Sequence, residues 1–269
     1  MLFCFGMTAM AAEETEKRSL LPDYSQPVGF TSSVGADLVS NYIWRGLYVG
    51  GMGIQADASV GYGGLFLDMW WNVGATNWTF TALNPEVDMT LGFSRWGLTV
   101  MFMHMYYFDQ YKDGTPSRYF DFRNHAPGGG GITQEWRVKY RVSDALPISI
   151  LWCTRTWGRD GYIDSKGDLQ RAYSSYLELG YDINLPHHLC LEARAGLTPW
   201  KSMYTGFQGD FAFCNVSAKL NWHKDLSDRC LMTAFANLML NPYDMATGYK
   251  INGFGNPFLW NVGCGFYLK

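Results

Sequence analysis

Charged side chains recur at every second position in several otherwise apolar segments of the chain. The clearest case is segment 132–142, where Glu135, Arg137, Lys139 and Arg141 alternate with apolar or aromatic residues. In an extended strand this alternation places all the charges on one face, whereas a helix would spread them around its circumference. Such a face offers fixed charges, which attract, orient and filter solutes.

The same alternation along the chain predicts a set of charged residues that line a polar lumen. They are Asp37, Arg45, Asp57, Asp68, Glu86, Asp88, Glu135, Arg137, Lys139, Arg141, Arg155, Glu178, Asp182, Glu192, Arg194 and Lys219. The second to fourth predicted strands contribute acids only, with Asp57, Asp68 and Asp88 at about mid-height. The sixth to tenth contribute the bases other than Arg45. We therefore expect an acidic wall to face a basic wall.

Two arrangements of such a lumen are compatible with the sequence. In an open pore, the opposed walls make a transverse field across water that orients dipolar solutes and filters by charge. In a closed barrel, Arg137, Lys139, Arg194 and Lys219 reach across and fill the lumen with salt bridges. A barrel of about twelve strands is wider than the eight-stranded kind that side chains fill, which favours the open pore.

Motifs of catalysis and cofactor binding are absent from the sequence. It contains no G-x-S-x-G, H-E-x-x-H, P-loop or paired C-x-x-C pattern. The histidines are His104, His125, His187, His188 and His223. The adjacent His187 and His188 could bind a metal, but their position in a solvated turn is the explanation that we favour. We predict a protein that is not an enzyme and has no cofactor or metal, and the formal net charge of −3 does not favour nucleic-acid binding.

The six cysteines show no metal-like spacing. Removal of Cys4 with a leader would leave an odd number, so we expect them to serve mainly as small apolar residues. A bridge between Cys230 and Cys264 is the one pairing left open, because both are predicted near the same end of neighbouring strands.

Twelve alternating segments must position these side chains. They are 34–46, 53–62, 65–73, 85–94, 98–108, 132–142, 148–157, 172–183, 189–198, 211–223, 231–240 and 258–268. Most have roughly the 9 to 11 residues with which a tilted strand crosses a bilayer. The strand register stays open in 98–108, where both faces are apolar, and in 231–240.

The connections alternate in length. Short ones lie at 63–64, 95–97, 143–147, 184–188 and 224–229, and mostly longer ones at 47–53, 74–84, 109–131, 158–171, 199–210 and 241–257. Short periplasmic turns and long external loops are typical of outer-membrane barrels. The longest loop, 109–131, could fold inward as a constriction, fold outward as a binding surface, or remain an ordinary surface loop.

Composition supports a strand-built membrane protein. Among 269 residues, 30 are glycine, 17% are aromatic and only 17% are charged. No run approaches the roughly 18 apolar residues of a membrane helix. We predict an all-β fold, a transmembrane antiparallel up-and-down β-barrel over 33–269. Before it, 1–12 is predicted as a truncated signal peptide and 13–32 as a periplasmic segment.

Aromatic residues near strand ends are expected to form interfacial belts. They are Tyr42, Trp44, Tyr62, Trp71, Phe93, Tyr140, Trp152, Tyr173, Tyr181, Trp222, Trp260 and Phe266. In the first strand, Tyr42 and Trp44 should therefore lie against lipid, while Asp37 and Asn41 face the lumen. Arg45 becomes the only base predicted on the acidic side, near the external rim.

Residues 39–46, V-S-N-Y-I-W-R-G, followed by G-L-F-L-D-M-W-W-N-V at 64–73 and E-V-D at 86–88, resemble the TorF-type porin family of Gram-negative outer membranes. The resemblance covers about the first hundred residues. It implies an outer-membrane barrel with channel function and supplies no catalytic residues. Asp68 and Asn72 depart from the small residues expected in the third strand.

These observations predict a porin-like channel for passive diffusion of small polar or charged solutes. The alternative is a closed barrel that acts in adhesion or complex assembly through its extracellular loops, where a protein partner could bind. The expected partners are otherwise outer-membrane lipid, the solutes, and the barrel-insertion machinery, because the C-terminal strand 258–268 is rich in aromatics. No nucleic-acid partner is expected.

Overall fold

The computed structural model describes residues 29–76, 79–108, 118–120, 131–143, 145–248 and 256–268. The predicted signal peptide, 1–12, and nearly all of the predicted periplasmic segment, 13–32, lie outside these residues, as do His125 and most of the 109–131 loop. The described chain is almost entirely extended.

Sixteen strands occur in the described residues. They are β1 Phe30–Val39, β2 Tyr42–Trp44, β3 Leu47–Gly50, β4 Gly53–Tyr62, β5 Leu65–Thr76, β6 Thr79–Arg95, β7 Leu98–Tyr107, β8 Ile132–Arg141, β9 Ile148–Gly158, β10 Gly161–Ile163, β11 Leu169–Arg171, β12 Ser175–Leu185, β13 Leu189–Thr198, β14 Ala212–Ser227, β15 Cys230–Leu240 and β16 Phe258–Leu268. A 3₁₀ turn at Met203–Thr205 and a short helix α1 at Pro242–Thr247 lie in the connections.

Twelve of these strands close into one antiparallel barrel. Each pairs with its sequence neighbour among the twelve, and β1 completes the barrel by pairing with β16. The remaining strands form two small hairpins, β2–β3 and β10–β11, outside the barrel sheet. The predicted fold class and strand number are confirmed, and closure leaves no unpaired barrel edge.

The two faces of the barrel wall differ sharply in polarity. Outward side chains are apolar and exposed, as in Val34 at 51% and Leu91 at 56%. Inward ones include charged groups almost without exposure, such as Asp57 at 1% and Glu135 at 0%. This is the reverse of a water-soluble protein and suits a wall that stands between lipid and a polar interior.

The closed barrel also shows which side chains of β7 and β15 point inward, which the sequence left open. In β7, Met101, Met103 and Met105 are buried in the interior, while Leu98 is exposed outside. In β15, Phe235 and Met239 are interior. Methionine therefore replaces charge on part of the inner wall, which is why alternation in polarity could not set this register.

Cys230 and Cys264 are both free, so the bridge left open by the sequence is not formed. The reason is register, because Cys230 lies opposite Leu268 and Cys264 lies opposite Ala234.

Two predicted boundaries are wrong. The first strand was expected to run over 34–46, but β1 ends at Val39, and the chain then leaves the barrel wall to form the β2–β3 hairpin. The loop expected at 74–84 is mostly strand, because β5 and β6 continue to Thr76 and from Thr79. Strand pairing extends beyond the apolar alternation there, at the external end of the wall.

The connections keep the predicted asymmetry. Two-residue turns such as Gly63-Gly64 lie at one rim, with positive φ of 59° and 92° at the two glycines. The connections at the other rim carry both hairpins, the 3₁₀ turn and α1. Among the described residues there is no helix with the length and apolarity needed to cross a membrane.

An arginine on the outer wall should reveal which surface meets lipid. Leu91 lies about midway along the spanning part of β6, whereas Tyr62 lies at the periplasmic end of β4. We expect Leu91→Arg to lower the free energy of unfolding by about 2–4 kcal/mol and Tyr62→Arg by less than about 1 kcal/mol. Urea unfolding of the protein in phospholipid vesicles measures both. Equal losses would contradict the assignment of the outer face.

Candidate functional site: a charged lumen with an inward hairpin

The β2–β3 hairpin folds into the lumen. Its tip is the two-residue turn Arg45-Gly46, with φ of 48° and 82°. Positive φ at both central residues matches the primed turns that close tight hairpins. A Cβ at Gly46 would collide with the carbonyl oxygen of Cys214 on the barrel wall. The tip therefore requires glycine both for its conformation and for its close approach to β14.

Apolar contacts hold both arms of the hairpin against the wall. Ile43 packs with Met239 and Leu259, which are buried on β15 and β16. On the other arm, Leu47 joins a buried cluster consisting of Cys153, Tyr176, Tyr204 and Cys214. The hairpin thus touches strands on several sides of the barrel.

Two hydrogen bonds fix the backbone of Gly46. Its N–H donates to the sulfur of Met239 at 3.0 Å, and Asn241 Nδ2 donates to its carbonyl at 3.0 Å. The Asn241 side chain also accepts from the N–H groups of Tyr243 and Asp244 as the N-cap of α1. One amide therefore joins the hairpin tip to an external helix.

Arg45 anchors the tip through a bidentate ion pair. Its Nη1 lies 3.0 Å from Glu135 Oε2, and its Nη2 lies 3.0 Å from Glu135 Oε1. Arg45 also donates to Tyr204 Oη at 2.7 Å and Cys153 Sγ at 2.8 Å. The guanidinium stacks over Trp44, 4.4 Å from its ring centroid. This buried arginine has partners in nearly every direction.

Tyr204 reaches this site from the external connection 199–211. Burial raises the pKa of its hydroxyl, so the group stays neutral and accepts the hydrogen bond from Arg45. Its ring also lies 5.2 Å from that of Tyr176 on β12. The external connection thus closes over the hairpin.

Glu135 receives a second guanidinium. Arg137 Nε lies 2.5 Å from Glu135 Oε1, two residues along the same face of β8. The carboxylate is fully buried, and these two arginines contact it directly and compensate most of its charge. Arg155 lies directly opposite Glu135 in the β8–β9 register, and the two charges attract each other across the strands.

Three expectations for the first segment are wrong. Arg45 does not stay on the acidic side but crosses the lumen to β8. Tyr42 and Trp44 do not lie against lipid, because the hairpin carries them inside. There the Tyr42 ring lies 5.3 Å from that of Trp70 and the Trp44 ring 5.7 Å from that of Tyr204. Aromatic residues pack equally well in an aromatic-lined lumen as in an interfacial belt, so their alternation could not distinguish the two.

The acids of strands β1 and β4 to β6 face the lumen. Asp37 accepts from Tyr267 Oη at 2.5 Å and from Thr233 Oγ1 at 3.2 Å. Both carboxylate oxygens of Asp57 and Oδ1 of Asp88 are buried without a hydrogen-bond partner among the described residues. With Asp68, they line a cavity of about 80 Å³.

Bases from the other side of the barrel line the same cavity, namely Arg137 and Lys219. Lys219 is buried with its ammonium 4.3 Å from the ring centroid of Phe235. Opposite charges therefore face each other across a narrow space. Arg137 already forms an ion pair with Glu135, whereas the carboxylate of Asp57 forms none among the described residues.

A second polar group surrounds Arg194 on β13. Its guanidinium contacts Glu192 at 3.2 Å and Glu178 at 3.6 Å, and it also contacts Asp182. This cluster borders a cavity of about 100 Å³ that Lys139 also lines. Three carboxylates therefore gather on Arg194.

A larger cavity of about 650 Å³ lies on the external side of the hairpin, and we call it the vestibule. Residues that define it are Trp44, Glu86, Asp88, Tyr107, Arg155 and Phe207. Arg137 lines the vestibule and both smaller cavities. Its side chain is therefore part of the wall of all three spaces.

The remaining predicted lining residue, Arg141, is half-buried near the periplasmic end of β8. Sequence reasoning missed the neutral lining residues, notably Trp70, Tyr107, Tyr176 and Tyr204. The first three occupy inward positions of alternating strands and could have been found from strand parity alone. Tyr204 lies in an irregular connection, where no periodicity exists to predict its direction.

The histidines do not assemble a reactive group. His104 lies outside the lumen on β7, where Nε2 hydrogen-bonds with the carbonyl of Tyr119 at 2.9 Å. His188 and His223 are ring neighbours at 6.2 Å near the periplasmic rim. Among the described residues, no three His, Cys, Asp or Glu side chains converge as metal ligands would.

Comparison with protein-family models and with curated sequences gives no match. Among solved structures, the chain resembles the NanC porin, with 12% identity over 89% of this chain and 100% of that chain at a TM-score of 0.49. It also resembles the KdgM porin (6% identity, 88% and 98% covered, TM-score 0.43). An outer-membrane channel from Pseudomonas putida F1 is a third (10% identity, 90% and 96% covered, TM-score 0.42). Likenesses this weak do not indicate what this barrel carries, and the TorF-type resemblance stays a prediction.

The barrel itself defines the class of protein. It is closed and antiparallel, with an even number of strands, a polar interior and an apolar exterior. One rim carries short turns, and the other rim carries long connections. Closed barrels and helices are the only backbones that satisfy their own hydrogen bonds across lipid. The chain is a transmembrane β-barrel of the bacterial outer membrane.

Removal of the Glu135 charge should destabilise the contacts that hold the tip of the β2–β3 hairpin. Glu135→Gln leaves two buried arginines uncompensated, so we expect the free energy of unfolding to fall by about 3–5 kcal/mol. Glu178→Gln is the matched control, because Arg194 retains Glu192 and Asp182 there. Urea titration in vesicles compares the two variants. A loss at Glu178→Gln as large as that at Glu135→Gln would contradict the special role of the Arg45 ion pair.

Proposed function

We propose that this barrel is a porin-like channel for passive diffusion of small polar or charged solutes across the outer membrane. The observation that carries the proposal is a set of three cavities in the lumen that are lined by charged groups and share Arg137 as a lining residue. A barrel that served only as a rigid support would be expected to satisfy its buried polar groups internally. Here Asp57 and Asp88 keep buried oxygens without partners among the described residues.

The lining supports selection by charge rather than free flow. Asp57, Asp68 and Asp88 border the cavity of about 80 Å³ together with Arg137 and Lys219. Opposed charges in a narrow, partly dehydrated space make a strong transverse field, which favours small dipolar or charged solutes that can align with it. The small volume limits the size of a solute that passes without motion of the hairpin.

The hairpin favours the alternative function, a closed barrel that acts through its external loops. Its tip spans from β1 to Glu135 on β8 and narrows the lumen to the two small cavities. A closed barrel would use the external connections for adhesion or complex assembly. Ion conduction distinguishes the two functions directly.

Conductance of the purified, folded protein in a planar lipid bilayer tests the channel. We expect discrete current steps with a measurable ion preference. Resistance of the band to unfolding in unheated gel samples reports that the barrel is folded. A folded preparation without discrete steps would overturn the channel and favour the closed barrel.

The acidic side should set part of the ion preference. Substitution of Asp57, Asp68 and Asp88 by Asn removes negative charge from the cavity they border, so we expect the cation preference to fall. The reversal potential in a salt gradient measures it. Asp228→Asn, at an exposed periplasmic turn, should leave it unchanged. Unchanged selectivity in the triple variant would show that ions do not pass this wall.

Displacement of the hairpin should widen the channel. Gly46→Ala places a Cβ against the Cys214 carbonyl, and Ala is strained at φ of 82°. We expect the tip to shift and the single-channel conductance to rise. Gly167→Ala is the matched control, since Gly167 has φ of 87° in the external β10–β11 hairpin and meets nothing within 4 Å. Identical conductance in all three proteins would show that the hairpin does not limit flow.

A further inference from the structure

The vestibule has the size and lining of a small-molecule site. Its volume of about 650 Å³ falls within the roughly 300–1,000 Å³ of such sites. It lies between the external connections and the hairpin, so a solute entering from outside meets it before the constriction at Arg137. Its chemistry should therefore select what reaches the narrow part of the lumen.

Arg155 brings a buried positive charge to the wall of the vestibule. Its cross-strand neighbour Glu135 is committed to Arg45 and Arg137 through both carboxylate oxygens. Arg155 is only 5% exposed, and its Nε is buried without a hydrogen-bond partner among the described residues. A carboxylate from a solute is the natural partner for such a group.

Negative charge lies on β6, three strands from β9 in the barrel order. Glu86 and Asp88 both point inward there, with exposures of 3% and 7%. Oδ1 of Asp88 is buried without a hydrogen-bond partner in the part of the chain described by the structure. These carboxylates suit an ammonium group.

Aromatic rings line the same cavity as the two charges. Tyr107 belongs to β7, next to β6, and Phe207 belongs to the external connection that also carries Tyr204. Tyr48 on β3 contributes a third ring from the hairpin. Such rings favour a flat apolar group on the solute.

We propose that the vestibule binds zwitterionic solutes that carry an aromatic group, namely aromatic amino acids and short peptides that contain them. The solute carboxylate pairs with Arg155, its ammonium with Asp88 and Glu86, and its ring packs against Tyr107 and Phe207. A simple anion gains no contact with the acids, and a simple cation gains none with Arg155. This inference rests on the proposed channel function and names the solutes that it favours.

Solute block of single-channel current tests the inference with the full chain. L-phenylalanine, added on the external side, should reduce conductance at about tenfold lower concentration than L-alanine, 3-phenylpropanoate or 2-phenylethylamine. Each comparison compound lacks the ring or one of the charges, and a hydrogen bond to a charged group is worth about tenfold or more in affinity. Equal block by phenylalanine and either singly charged compound would overturn the inference.

Two charge variants assign the roles. Arg155→Gln should weaken block by phenylalanine about tenfold and leave block by 2-phenylethylamine unchanged. Asp88→Asn should weaken block by both amines and leave 3-phenylpropanoate unchanged. Lys139→Gln and Asp68→Asn are controls, because these residues line only the smaller cavities. If Arg155→Gln does not fold, Arg155→Lys is the alternative variant. It keeps the positive charge but lacks the planar guanidinium group, so it should weaken block by phenylalanine less than tenfold.

Failure of the channel and failure of the site are distinguishable. Absence of current steps in the folded protein overturns the channel function alone. Equilibrium dialysis of labelled phenylalanine against the detergent-solubilised protein then still reports on the vestibule. Saturable binding that Arg155→Gln weakens supports the site, and absence of saturable binding overturns it.

Discussion

The arrangement of the lumen depends on one buried ion pair, Arg45 with Glu135. Two charges with 8% and 0% exposure must compensate each other, because solvent scarcely reaches either side chain. Such pairs often contribute little net stability compared with a well-packed apolar pair, yet they tolerate few other geometries. The bidentate contact therefore acts chiefly by specifying where the hairpin tip lies, and the cavities on either side take their shape from that position.

The barrel wall makes this arrangement possible by reversing the usual distribution of polarity. Because lipid covers the outer surface, apolar side chains face outward and the interior must accommodate polar groups. The interior compensates most of its charges in small local groups. Arg194 gathers three carboxylates on one side, Glu135 gathers two guanidiniums on another, and Asp37 relies on hydroxyl donors. Asp57, Asp88 and Arg155 each keep a buried polar atom without a hydrogen-bond partner among the described residues, and all three border the cavities of the lumen.

Much of the fold was predictable from the sequence, and the reason is periodicity. A strand between lipid and a polar lumen must alternate, so segments such as 132–142 revealed their strand and their inward face together. Periodicity gave the wrong face where aromatic side chains pack inside the lumen instead of against lipid, because the alternation of residues along the strand is the same in both cases. Tyr42 and Trp44 alternate with polar residues as a lipid-facing strand would, but their apolar surroundings are Trp70 and Tyr204 inside the barrel. The partner of Arg45 was not predictable for the same reason, since it depends on where the hairpin bends.

The position of the hairpin along the chain has a consequence for the order of assembly. Arg45 belongs to the first connection, whereas its partners Glu135 and Tyr204 come 90 and 159 residues later. Ile43 packs against Leu259 on β16, the strand that completes the barrel. Contacts of such high sequence separation form only after long loops have closed. The full set of contacts that holds the hairpin is therefore complete only when the last strand is in place.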